Sequence, residues 1–144
     1  EQGRIVGAVA RAGEGNSSSS KYVVPNDQDG NLLYVPDWSL HTKSRYTFLT
    51  FGVIDAVTLS MLGYPAISTL SGKRLDPAAL NSWRKQIIFI PDEGEEDAAG
   101  RIAACLGWRG KVWRVNWPDE CKDISDIWTK YPDLLKSELR KRLN

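Results

Sequence analysis

Histidine, cysteine and methionine are nearly missing from this chain of 144 residues, which carries one His, two Cys and one Met. The single histidine, His41, makes neither a catalytic triad nor a metal cluster by itself, and no role is assigned to it. Cys105 and Cys121 have no CxxC spacing, which excludes a zinc signature. Two such thiols are expected to be reduced side chains of a cytoplasmic protein. No apolar run approaches the roughly 20 residues of a membrane span, and no signal-peptide pattern opens the chain. No membrane partner is therefore expected. An excess of charge of one sign is absent as well: 19 Lys and Arg face 18 Asp and Glu, a net charge of +1. The molecule as a whole is not a basic nucleic-acid binder, so any such binding must use a local patch. There is no internal repeat and no initiating Met. The chain opens directly on a strand-like stretch, Gly3-Arg4-Ile5-Val6-Gly7-Ala8-Val9, as an excised domain of a longer protein would.

What is present is an ordinary globular composition, 42% hydrophobic and 26% charged, enough for one domain with a real core. Residues 4–10 read as a strand and Gly13–Ser20 as a loop. Lys21-Tyr22-Val23-Val24 and Leu32-Leu33-Tyr34-Val35 read as short extended pieces, and residues 36–45 as irregular. From residue 46 the pattern changes. Strand 46–51 leads into helix 53–62, with Val53, Ala56, Val57 and Met61 at helical spacing and Gly63 as C-cap. Strand 66–70 follows. Asp76-Pro77 opens a helix to about Lys85. Ile87-Ile88-Phe89-Ile90 suits a central strand buried on both faces. The next helix has Glu95, Glu96 and Asp97 in its first turn, and Ala99, Ile102, Ala103 and Leu106 as its apolar face. Residues 111–117 form a fourth strand, and helices 123–130 and 132–143 close the chain. Strands alternating with helices imply an α/β fold with a mostly parallel sheet of four strands.

In an open parallel sheet, ligands bind beyond the carboxyl ends of the strands. Those ends read Phe51-Gly52, Ser71-Gly72-Lys73-Arg74, Pro91-Asp92-Glu93-Gly94-Glu95 and Pro118-Asp119-Glu120-Cys121-Lys122-Asp123-Ile124-Ser125-Asp126. Two of them carry clustered carboxylates, the hard oxygen ligands that Mg²⁺ takes. Glu96 and Asp97 are explained by the helix start alone.

Residues 46–130 resemble a Toprim domain of the kind found in bacterial and phage primases. Phe51-Gly52-Val53-Ile54-Asp55 is similar to the family's Glu-Gly-x-x-Asp, Ile88–Gly94 to the strand bearing its Asp-x-Asp, and Lys122-Asp123-Ile124-Ser125-Asp126 to its Lys-Asp-x-Asn-Asp stretch. Upstream, Gly3-Arg4-Ile5-Val6-Gly7 with Arg11 and Lys21-Tyr22 is similar to the small β-rich subdomain that precedes Toprim beside the nucleic-acid groove. The resemblance implies two units: a β-rich subdomain over 1–45 and a Toprim-like domain over 46–144. It implies Mg²⁺ or Mn²⁺ at Asp92, Glu95, Asp123 and Asp126, and catalytic roles for Asp92 and Asp55. Two acids are missing from the pattern. Phe51 stands where the family has the Glu that acts as acid/base or supports the metal, a role typically contributing about 10²–10⁴-fold in rate. Gly94 falls where the second Asp of Asp-x-Asp belongs. A register shifted to Glu95-Glu96-Asp97-Ala98-Ala99-Gly100 sets the acids farther from the strand, so Asp92 is preferred.

Most basic residues read as surface charge. Lys73 and Arg74 follow a strand end beside Asp92 and are the first candidates for phosphate contacts, with Arg11 and Lys21 second through the resemblance. Trp113 and Trp117 share a strand face and are expected in the core. Trp38, in a polar irregular segment, is the better base-stacking candidate. The reading is a primase-like Toprim domain of a DNA replication protein. It binds DNA or RNA, single-stranded, works beside other domains of a larger replication protein, and transfers nucleotidyl groups if its degenerate metal site is active. The alternatives are a noncatalytic Toprim scaffold and a Toprim nuclease.

Overall fold

Consecutive apolar residues on the central strands send their side chains to opposite faces, so the sheet needs cover on both. The computed structural model, which describes residues 10–11, 22–23, 32–70 and 72–143, supplies that cover. Five strands form the main sheet: β3 (Leu33–Tyr34), β4 (Tyr46–Thr50), β5 (Ala66–Thr69), β6 (Gln86–Ile90) and β7 (Gly110–Val112). Their spatial order is β3-β5-β4-β6-β7. β4 pairs in parallel with β5 and β6, β6 pairs in parallel with β7, and only β3 runs antiparallel, against β5. Two further short strands, β1 (Ala10–Arg11) and β2 (Tyr22–Val23), pair with each other. The helices are α1 (Ser39–Lys43), α2 (Val53–Met61), α3 (Glu96–Cys105), α4 (Ile124–Lys130) and α5 (Pro132–Leu143).

One face of the sheet offers Phe48, Ala66 and Ile90 to Ala56 and Leu59 of α2, Ile124 and Ile127 of α4, and Leu135 and Leu139 of α5. The other offers Leu49, Ile67, Ile87 and Phe89 to Ile102 and Ala103 of α3 and to Leu75 and Leu80. The molecule is thus a mixed α/β fold with a mostly parallel sheet between helical layers, as the alternation of elements implied. Among the described residues no helix is long and apolar enough to cross a membrane.

Local sequence explains most boundaries. α2 stops at Gly63, whose φ of 84° suits a residue without Cβ. There the Tyr64 N–H donates to the Leu59 carbonyl and the Gly63 N–H to that of Ser60, a Schellman closure. α3 buries Ala99, Ile102, Ala103 and Leu106 as its spacing requires. Trp113 is buried and Trp117 packs partly against the same cluster, the core role expected of them, although both lie beyond the strand whose face they were expected to share.

Four expectations change. The sheet has five strands, because Leu33–Tyr34 adds an antiparallel edge to β5. Residues 39–43, expected irregular, form α1. The helix expected from 76 to 85 shrinks to a 3₁₀ turn over Pro77–Leu80, although Asp76 caps it as predicted by accepting the Ala78 N–H at 2.9 Å. Asn81 and Ser82 are weak helix formers, and the Leu80 and Trp83 carbonyls take hydrogen bonds from the Arg109 guanidinium instead. The last strand ends at Val112 rather than 117, because its partner β6 ends at Ile90. The strand expected over 4–10 lies outside the described residues except Ala10, as do the Gly13–Ser20 loop and Lys21; of Arg11 only the backbone is described.

Candidate strand-end site

Phe51 leaves β4 and turns into the core rather than into the cleft above the sheet. It is 9% exposed and belongs to the cluster of Leu49, Ile67, Leu75 and Ile102. The turn that follows is fixed by the Thr50 hydroxyl, which donates to the Gly52 carbonyl at 2.8 Å. The first strand end therefore presents an aromatic ring packed in hydrocarbon.

Asp55, one turn into α2, is 5% exposed. Its Oδ1 accepts the Ser125 N–H at 2.9 Å and the Ser125 hydroxyl at 2.6 Å. These charge-assisted bonds tie α2 to the first turn of α4 across 70 residues of sequence. Gly52 makes this possible: a Cβ there would lie 2.3 Å from Asp55 Oδ2. The Gly-x-x-Asp spacing thus has a structural use, in which the glycine admits the carboxylate that holds the start of α4.

Asp123 and Asp126 act on the same helix start. Asp123 is the N-cap of α4 and accepts the Asp126 N–H at 2.8 Å, while Asp126 Oδ2 accepts the Lys122 N–H at 3.2 Å. The two bonds resemble a capping box, except that Asp126 reaches back to the residue before the N-cap rather than to the N-cap itself. The loop after β6 is half-buried at Asp92, turns at Gly94 with φ of 82°, and is tied to this segment by the Glu93 N–H, which donates to the Lys122 carbonyl at 2.8 Å. Glu95 pairs with Lys73 at 3.4 Å, joining the loops after β5 and β6. Lys73 is mostly open to water and Glu95 about a quarter exposed, and such solvent-accessible pairs contribute at most about 1 kcal/mol. Arg74 is exposed beside it.

The fold therefore brings Lys73 to Glu95, Asp55 to Ser125, and Asp123 to Asp126. Among the described residues no group of three or more His, Cys, Asp or Glu side chains is placed to hold a metal ion. The donor set does not fit a Mg²⁺ site: Asp123 and Asp126 hold backbone N–H groups, Glu95 holds a cation, and Phe51 is hydrocarbon. The Asp55–Ser125 link was not foreseen, because Lys122–Asp126 was read as a site strand end. Its signal was present in the Asp123-x-x-Asp126 spacing, which also marks a helix N-terminus. Trp83 and His41 were not foreseen either.

His41 is buried, and its Nδ1 lies 3.0 Å from the Thr47 hydroxyl. Burial lowers its pKa from the ordinary value of 6.5, with the Ala66 backbone opposing and Lys85 assisting the shift. Cys121 is buried and its thiol pKa is pushed up by desolvation, whereas Cys105 is exposed.

No family model matches the chain, and no curated protein sequence matches it significantly. Two solved structures do. The zinc-binding and RNA polymerase domains of the Aquifex aeolicus primase superpose with a TM-score of 0.70 at 20% identity, over 96% of this chain and 36% of that one. The RNA polymerase domain of Mycobacterium tuberculosis primase DnaG superposes with a TM-score of 0.68 at 20% identity, over 92% of this chain and 50% of that one. The likeness is one of fold, and this chain spans half or less of each neighbour's length.

Proposed function

We propose that this chain is a primase-like domain of a replication protein, Toprim-like over residues 46–144 and preceded by a β-rich subdomain over 1–45. In this reading it binds single-stranded nucleic acid at the carboxyl ends of β4, β5 and β6, beside other domains of a larger protein, and does not itself transfer nucleotides. The fold likeness to primase RNA polymerase domains supports the first part. The observation that carries the second is the burial of Phe51 in the core, where the Toprim pattern has its Glu. Lys73 and Arg74 stand at the open edge of these strand ends and provide the phosphate contacts, with Arg11 and Lys21 contributing from the preceding segment.

Anisotropy of a labelled oligothymidylate across a salt series tests the binding. Affinity is expected to fall with salt, and the Lys73→Ala/Arg74→Ala variant to bind more weakly with a slope shallower by about 1.4, at about 0.7 per phosphate contact on a single strand. No affinity at low salt would end the nucleic-acid reading. Calorimetric titration with Mg²⁺ and Mn²⁺ tests the rest. No saturable binding is expected, and binding that Asp92→Ala abolishes would restore the enzyme reading, with Asp92 and its neighbouring acids as ligands.

A further inference from the structure

The opposite ends of the same strands carry a second cluster that the strand-end site does not use. Residues 38–45 lead into β4 and residues 82–85 into β6. The two segments are joined by the Gln86 N–H on the Arg45 carbonyl at 3.3 Å and by the Lys85 ammonium on the His41 carbonyl. Their indoles stack: the Trp38 and Trp83 rings lie 5.6 Å apart and within 10° of parallel. His41 meets Trp83 edge-on at 5.2 Å, and Arg109, in the 3₁₀ turn after α3, anchors the Trp83 carbonyl. Trp83 is thus half-buried and fixed, and Trp38 lies on it with 65% of its surface in water. Trp38, His41, Trp83, Arg84 and Lys85 line one open concavity there.

A tryptophan so exposed is unusual, because its large apolar ring gains most from burial. Here one face is already occupied by a second indole, which sets the ring's orientation before any ligand arrives. The charge around it has one sign. The two segments hold Lys43, Arg45, Arg84 and Lys85 and no carboxylate, with Asp37 just before the first, in a chain of net charge +1. Asp37 accepts the Ser39 N–H and hydroxyl at the start of α1. A flat ring flanked by cations matches an unstacked base with its phosphates; a duplex, whose bases are already stacked, offers no such face.

We infer that Trp38, backed by Trp83, is a base-stacking platform for single-stranded nucleic acid, with the exposed Arg84 beside the phosphates. The ligand class rests on the nucleic-acid reading above; the site does not coincide with it. The crossover from β5 to β6 links the two, since it carries Lys73 and Arg74 at its start and Arg84 and Lys85 at its end. A strand laid along it meets cations at both ends and an aromatic platform at one.

The test is oligothymidylate anisotropy with the wild-type chain, Trp38→Ala, Trp38→Tyr and Lys73→Ala/Arg74→Ala. Trp38→Ala is expected to weaken binding by about 5- to 150-fold with an unchanged salt slope, because stacking releases no counterions. Trp38→Tyr keeps most of the affinity. Equal binding by Trp38→Ala, with Lys73→Ala/Arg74→Ala still impaired, overturns the platform and leaves the strand-end reading standing. A Trp38→Ala loss that Trp38→Tyr does not rescue also overturns it. Failure of the wild-type chain to bind sinks both readings.

Discussion

Phe51 occupies hydrocarbon that a carboxylate cannot share cheaply. It packs with Leu49, Leu75 and Ile102, so Phe51→Glu places a charge in a dry cluster. Urea denaturation is expected to show a loss of about 3 kcal/mol or more, with no gain of Mg²⁺ binding by calorimetry. A variant of undiminished stability that binds metal would contradict the structural role given to the ring. His41 makes the second prediction at this scale. Its folded pKa lies below 6.5 because burial disfavours the charged ring. The unfolded chain therefore binds more protons than the native one as pH falls through 6.5, and stability falls with it, until both forms are protonated below the folded pKa. Denaturation between pH 8 and pH 5 is expected to show this slope, and His41→Gln to remove it. His41 is the only histidine, so a slope that survives the substitution would refute the assignment. None of this was legible beforehand, because a lone His in a polar-looking segment gives no sign that Thr47, Ala66 and Trp83 will enclose it.

At the scale of elements, α2 and α4 are held by one polar link, Asp55 to Ser125, and Gly52 leaves room for it. Asp55→Ala removes bonds to a charged acceptor and is expected to cost about 2–3 kcal/mol. Gly52→Ala forces its Cβ against the same carboxylate and loses much of the same link. Once Asp55 is Ala, nothing opposes that Cβ, so Gly52→Ala should cost far less in that background. The double-mutant cycle in urea is expected to give a coupling of about 1 kcal/mol or more, and additive losses would disprove the shared mechanism. The sequence showed two caps well: Gly63 and Asp76 with Pro77 act where their chemistry placed them, whereas Asp123, expected at a metal site, proves to be the N-cap of α4. It misjudged how far elements run. The helix opened by Asp76 stops at Leu80 and the strand opened at Gly110 stops at Val112, because Arg109 and the end of β6 decide those limits from outside.

For the whole molecule, the parallel strands set two ends of different character. The carboxyl ends gather Lys73, Arg74, Asp92 and Glu95; the segments entering the amino ends gather Trp38, His41, Trp83, Arg84 and Lys85. A five-residue strand such as β4 separates them by about 16 Å. Sites that far apart act nearly independently. The Trp38→Ala/Lys73→Ala/Arg74→Ala variant is therefore expected to lose oligothymidylate affinity by close to the product of the separate losses. A combined loss no larger than either alone would mean that both changes disturb one site.

Periodicity, caps and composition alone determined the α/β class, the order of the main strands and helices from residue 46, and the burial of the α3 face, since these depend on neighbours three to four residues away or on alternate positions. That the first strand runs into Phe51 and not into a carboxylate was equally plain from the sequence. Only the tertiary structure decided what the remaining acids do. Whether Asp55 faces a cleft or holds the start of α4 depends on where a helix 70 residues distant docks. The pairing of Trp38 with Trp83 is of the same kind: 45 residues separate them in the chain, and they meet because β4 and β6 are neighbours in the sheet.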